Sequence, residues 1–164
     1  MKFNLTILAV LATAAAPAFA AGDATKGEAV FKQCQTCHVV VDPDGKLLAG
    51  KGAKIGPNLY GVYGRLAGSY PGFKYGASIT AAGVAGLIWD EAHFVEYVQN
   101  PAGFLKTYLG KPAVAKMAFK VKDAATAEDV YAYLSQFSPP ATAAPAAAAP
   151  AADGTAAPAA TTLP

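Results

Sequence analysis

Cys34, Cys37 and His38 stand in the five-residue run CQTCH, which holds both cysteines of the chain and one of its two histidines. Two thiols and an imidazole at this spacing could be a redox dithiol, half of a zinc site, or the anchor of a covalently held haem. A zinc site needs four ligands, usually in two pairs, and beyond this run the chain offers only His93 and no further cysteine. A thioredoxin-like dithiol sits beside a strand–helix–strand unit, and no convincing alternating strand pattern runs through the sequence. A disulfide across two intervening residues would close a very small loop, stabilise little and leave His38 without a role. Attachment of a c-type haem uses all three residues: the thiols add to the two vinyl groups, and the adjacent imidazole is set against the iron.

The other face of such an iron decides what it can do. Met1 falls in the predicted leader described below, which leaves Met117 as the one methionine of the mature chain. It lies in KPAVAKMAFK, a lysine-flanked loop with a proline, rather than on the apolar helix face that core filling would favour. A polarizable thioether suits ferrous iron, and Met/His ligation raises the reduction potential. His93 competes for the role, but it sits in a helical stretch between Glu91 and Glu96 and reads more simply as an exposed side chain.

The elements that must position these groups are mostly helical. A first helix is expected to start at Asp23, a good N-cap, and to carry Val30 and Phe31 toward the cysteines. Gly27 within it suggests close approach by another element. Residues 39–75 are rich in glycine and proline and read as a long looped region that needs something to fold around. WDEAHFVEYVQNP is a helix unit: Asp90 caps it, Trp89 and Phe94 can form a hydrophobic staple, and Pro101 bars continuation. A last helix is expected from Thr126, where TAED resembles a capping box, with Val130, Leu134 and Phe137 on one face and Tyr133 beside them. Short helices and glycine-rich loops look like a shell around a large apolar guest.

Composition sets the outer limits. Residues 1–20 combine Lys2, an apolar run over 5–16 and AFA before Ala21, the pattern of a secretory leader cleaved after Ala20. Residues 139–164 are nearly all alanine, proline and threonine, with Asp153 their only charge, and read as a disordered tail. Residues 21–138 then form one domain of ordinary size. Loss of Lys2 lowers the formal charge from +2 to +1, which argues against a nucleic-acid-binding domain. No Asp or Glu occurs over 45–89 or 97–122, and those windows hold ten lysines and arginines. If they share a face, the molecule can be steered toward an acidic partner.

Taken together, CQTCH, GPNLYGVYGR, PGFKY, WDEAHFVEYVQNP, AKMAF and a terminal helix with VYAYL resemble, in order and spacing, the class I c-type cytochromes of the larger bacterial c2 type. The resemblance covers essentially residues 23–137. It implies an all-α class I cytochrome c fold, with short helices and Gly/Pro-rich loops wrapped around one covalent haem c and its iron. Cys34 and Cys37 would carry the thioether bonds, with His38 and Met117 as axial ligands. The Pro57 carbonyl would accept a hydrogen bond from the free ring nitrogen of His38. Arg65, Tyr75 and Trp89 match positions that hold the haem propionates, and Tyr97 matches the tyrosine beside the ligand methionine. Gly27 and Phe31 match residues that cross the last helix at Val130 and Tyr133. Ala115 and Ile79 depart from the family, which commonly has a threonine and an asparagine there.

The function implied is a soluble, monomeric, periplasmic one-electron carrier and not an enzyme. It would shuttle electrons between a bc1-type quinol:cytochrome c reductase and a terminal oxidase or photosynthetic reaction centre. Lysines such as Lys32, Lys54, Lys116 and Lys120 would ring the exposed haem edge and guide salt-sensitive docking to acidic patches. A haem peroxidase or gas-binding protein with Met117 off the iron, and a detached cytochrome module of a larger assembly, are the competing readings.

Overall fold

A computed structural model describes residues 22–138, so the leader and the Ala/Pro-rich tail expected from the sequence lie outside the described residues. Five helices and one small hairpin follow in the order α1 (Ala24–Cys34), β1 (Val39–Val41), β2 (Leu47–Gly50), α2 (Ala77–Val84), α3 (Glu91–Gln99), α4 (Pro101–Leu109) and α5 (Ala124–Ser135). Among the described residues no helix is long and apolar enough to cross a membrane.

The terminal helices form the frame. Asp23 caps α1 as expected, its carboxylate accepting from the amides of Thr25 and Lys26 at 2.9 and 3.2 Å. α1 packs across α5, and the crossing is close because residue 27 has no side chain: a Cβ there would collide with the Asp129 carbonyl. Phe31 then meets the Tyr133 ring at 5.4 Å between centroids, and Val130 and Leu134 are buried beside them. Each such side chain taken wholly out of water contributes about 1.5–3 kcal/mol, so this seam outweighs any surface ion pair. α5 begins at Ala124 rather than Thr126. Its cap is Asp123, which accepts from the Thr126 amide at 2.8 Å, so TAED lies within the helix instead of forming the cap.

Pro101 ends α3 as its chemistry requires, yet it also opens α4 at once. Proline is well placed in a first turn, where its missing N–H costs nothing. Gly110, at φ 62°, closes α4 in the left-handed conformation and releases the chain into the loop that carries Met117.

The looped region contains a short antiparallel hairpin that the sequence did not suggest. Val40 pairs with Ala49, and Val41 with Leu47 after a bulge. Its position is fixed by Asn58, whose side chain accepts from the Val41 amide at 3.0 Å and donates to the Val41 carbonyl at 2.7 Å, replacing a third strand. Further along, the Trp89 amide donates to the Arg65 carbonyl at 3.0 Å and the Ala67 amide to the Leu87 carbonyl at 2.8 Å. These bonds bring the segments before α2 and before α3 side by side.

Candidate functional site

The helices and loops enclose a cavity of about 320 Å³. Cys34, Cys37, His38, Pro57, Arg65, Tyr75, Trp89, Tyr97 and Met117 all line it, and most of the remaining lining is apolar. The volume lies at the lower end of ordinary ligand pockets. His93 is not among the lining residues. Its Nδ1 lies 3.1 Å from the Ile88 carbonyl and 3.0 Å from Asp90, with its ring edge-on to Phe104 and Tyr108.

Cys34 ends α1, and the amides of Cys37 and His38 both donate to its carbonyl at 3.0 Å. That tight turn presents both thiols and the imidazole to the cavity. The thiols are not joined in a disulfide. Burial, with a smaller contribution from Cys37, pushes the Cys34 thiol up to about 11. For His38, burial disfavours the cation and outweighs the opposing effect of its hydrogen bond to Pro57, which lies 2.9 Å from Nδ1. A carbonyl can only accept, so the proton sits on Nδ1 and Nε2 keeps its lone pair. Neutral imidazole with a free nitrogen is the form that binds a metal.

Arg65 is held from behind. Nη1 donates to the Tyr60 carbonyl at 2.9 Å, Nη2 to the Asn58 carbonyl at 3.1 Å, and the guanidinium lies 5.0 Å from the centre of the Tyr70 ring. Burial works against its charge, opposed by Tyr75 and Tyr70, and no carboxylate pairs with it among the described residues. A partly buried cation facing a cavity without its own anion fits an anionic guest. Tyr75 is tied to Tyr70 through its hydroxyl, which accepts from the Tyr70 amide at 3.3 Å. Trp89 and Tyr97 pack with ring centroids 4.9 Å apart. Burial, with Tyr75 as a lesser cause, pushes the Tyr97 hydroxyl up to about 12.

This donor set fits an iron porphyrin and does not fit a bare ion. Among the described residues no three His, Cys, Asp or Glu side chains gather as a metal site. One imidazole, one thioether and two thiols around an apolar cavity suit a metal that brings its own equatorial ligands.

Cytochromes c2 are among the most similar curated relatives. Cytochrome c2 of Cereibacter sphaeroides is 54% identical over 140 residues, spanning 83% of this chain and 97% of that protein. Cytochrome c2 of Rhodobacter capsulatus is 53% identical over 137 residues, spanning 82% and 97%. The chain belongs to the cytochrome c2 family. Solved structures agree: cytochrome c2 from Rhodobacter sphaeroides superposes with a TM-score of 0.71 at 53% identity, covering 73% of this chain and 99% of that one. Ferric cytochrome c-550 from Paracoccus versutus gives 0.67 at 44% identity, covering 72% and 99%. No protein-family model matches the chain. As a cytochrome c2 the protein is an electron carrier with one covalent haem c, and not an enzyme. The class I fold expected from the motifs is the fold found.

Three contributors to the site were given no role by the sequence, although Gly56 and Asn58 fall within GPNLYGVYGR. Asn58 holds the hairpin and, through its carbonyl, Arg65. Tyr70 accepts from Asn58 Nδ2 at 2.9 Å and faces the guanidinium. Gly56 lies against the His38 ring with no room for a side chain. All three fall in Gly/Pro-rich loop, where no periodicity marks a residue, and the motif that holds Gly56 and Asn58 does not say which groups they touch.

Proposed function

We propose that the protein is a periplasmic one-electron shuttle whose haem is bonded through Cys34 and Cys37 and ligated by His38 and Met117. The observation that carries the ligation is the Nδ1 atom of His38 at 2.9 Å from the Pro57 carbonyl, on the same cavity wall system that Met117 joins. When bound, the iron porphyrin supplies a ferric/ferrous couple. The chain's own part would be to hold the imidazole of His38 and the thioether of Met117 as ligands, and to keep water from the macrocycle with Trp89, Phe94 and Leu134. Arg65, Tyr75 and Trp89 are proposed to take the propionates, and Tyr97 to stand beside the thioether.

Docking is proposed at the mouth of the cavity, with acidic patches on a bc1-type reductase and on an oxidase or reaction centre. Ile55 and Val114 line the cavity yet are 74% and 73% exposed, an apolar contact zone. Lys32, Lys54, Lys116 and Lys120 are exposed. Lys32 and Lys54 have no hydrogen-bond or ion-pair partner among the described residues, whereas Lys116 and Lys120 each donate to a neighbouring segment. Lys32 and Lys54 are therefore the freer steering charges.

The visible spectrum of the purified protein, oxidised and reduced, tests the ligation. A weak far-red sulfur-to-iron band that vanishes on reduction supports it. A high-spin ferric spectrum that shifts readily with small ligands would favour the peroxidase or gas-binding alternative instead. Stopped-flow oxidation by an acidic redox partner should slow steeply as salt rises, and rates indifferent to ionic strength would remove the steering role.

A further inference from the structure

The loop between Gly110 and Val121 carries Met117 without a helix or strand of its own. Its far side is fastened to the α3–α4 corner: the Val121 amide donates to the Val98 carbonyl at 2.8 Å, and Lys120 Nζ to Asn100 Oδ1 at 3.1 Å. Its near side meets the start of α2. There the Val114 amide donates to Ser78 Oγ at 3.0 Å, and Lys116 Nζ to the Lys74 carbonyl at 2.9 Å.

Among the described residues, Val114 is the one residue over 111–120 whose backbone amide donates to a protein acceptor. The acceptor is a side chain, not a ladder, so a single hydroxyl carries the whole backbone attachment of this half of the loop. Ser78 lies in the first turn of α2, a position that Gly76 opens with no side-chain cap, and nothing there requires a serine for the helix itself. The residue after it, Ile79, lines the cavity, as do Val114, Ala115 and Lys116. The bond thus sits at the cavity wall and three residues from the thioether.

The geometry points to Ser78 as a positioning residue for Met117, acting through the Val114 amide, with Lys116 as a second tie. Ser78 governs how often the loop swings away and so how firmly the thioether stays on its ligand position. This rests on the proposed ligation by Met117. A ligand that competes for that position binds only to the opened form, so its apparent affinity reports the opened fraction.

The test is the affinity of the ferric holoprotein for added imidazole, read beside the far-red band. Ser78→Ala removes the acceptor and should tighten imidazole binding about three- to tenfold, the scale of one hydrogen bond. Ser78→Thr, which keeps the hydroxyl, should return the affinity to the wild-type value. Lys116→Gln should also tighten binding, and further in combination with Ser78→Ala. Unchanged imidazole affinity in Ser78→Ala, with the wild-type band intact, overturns the positioning role and leaves Met117 ligation standing. Absence of the band from the wild-type protein overturns both. Should Ser78→Ala fail to fold, amide hydrogen exchange in the wild-type holoprotein decides: protection at Val114 above Ala113 and Ala115 supports the tie, and equal exchange at all three overturns it.

Discussion

Gly56 lies directly under the ring of His38: a Cβ built on it would stand 2.6 Å from Nδ1 and 2.8 Å from Nε2. The same glycine donates its amide to the Cys37 carbonyl at 2.7 Å. Backbone and imidazole are thus pressed together just before Pro57, whose carbonyl accepts the hydrogen bond from Nδ1. Gly56→Ala must push the imidazole off this seat or break its bond to Pro57. Overpacking of this kind costs about 1–3 kcal/mol. Denaturant unfolding of the holoprotein followed by Soret absorbance should show a loss in that range, and a wild-type midpoint would mean that the ring can give way freely.

The α1–α5 crossing has the same dependence on a missing side chain. Gly27→Ala would drive a methyl into the Asp129 carbonyl and to within 2.8 Å of the Tyr133 Cβ, both parts of a helix that cannot yield locally. A loss of about 1–3 kcal/mol is expected. Lys26→Ala, one position earlier on an exposed site, should stay within about 0.5 kcal/mol. Circular dichroism melts of the two variants side by side check the contrast.

What the sequence disclosed divides along a physical line. Asp23, Asp90 and Pro101 act through atoms within a few residues, so the ends they impose could be read directly. CQTCH is local in the same way: its spacing alone puts both thiols and the imidazole on one turn. The hairpin over 39–50 was hidden because three valines are too short a run to show alternation, and its register depends on Asn58, many residues away. α2 was hidden because ASITAAGV has no charged face to set off an apolar stripe and follows Gly76 without a capping side chain. α4 was masked by Pro101, which stops one helix and starts the next. Nor could spacing say that Arg65 and Trp89 lie together, since that rests on bonds between loops.

Met117→Ala tests the second axial donor. The far-red band should disappear, the ferric protein should take up imidazole readily, and the reduction potential should fall. Axial ligands set haem potentials over about 0.8 V, so a drop on the order of tenths of a volt is expected. Potentiometry of the purified variant measures it. A potential unchanged from the wild type would place the thioether off the iron.

Acid stability should follow the two helix caps. The carboxylates of Asp23 and Asp123 are held below the usual value of 3.8, Asp23 chiefly by the Lys26 and Thr25 amides and Asp123 by Thr126. A depressed carboxylate adds stability above its unfolded value and loses it as pH falls through the folded one. The contribution is therefore full above about pH 4 and fades below it. Asp123→Ala should lower the melting temperature at pH 7 and flatten the acid limb of the profile below pH 4. A parallel shift at every pH would assign the effect to something other than the charge.

Tyr131 is the one described residue whose buried side chain carries a polar atom without a hydrogen-bond partner. Its ring is well placed, 5.3 Å from Phe94 and 5.5 Å from Tyr63 between centroids, so the packing and the hydroxyl pull in opposite directions. Burial raises the hydroxyl well above its ordinary value, and the nearby Tyr63, Glu91 and Asp90 act the same way, so it stays protonated and keeps an O–H donor that finds no acceptor. An orphaned buried donor costs about 1–3 kcal/mol, while phenylalanine keeps the ring contacts and removes the orphan. Tyr131→Phe should therefore leave the Soret spectrum unchanged and stabilise the holoprotein by about 1 kcal/mol or more in denaturant unfolding. A destabilised variant would require an acceptor for that hydroxyl, and an ordered water resolved against it in a crystal would identify one.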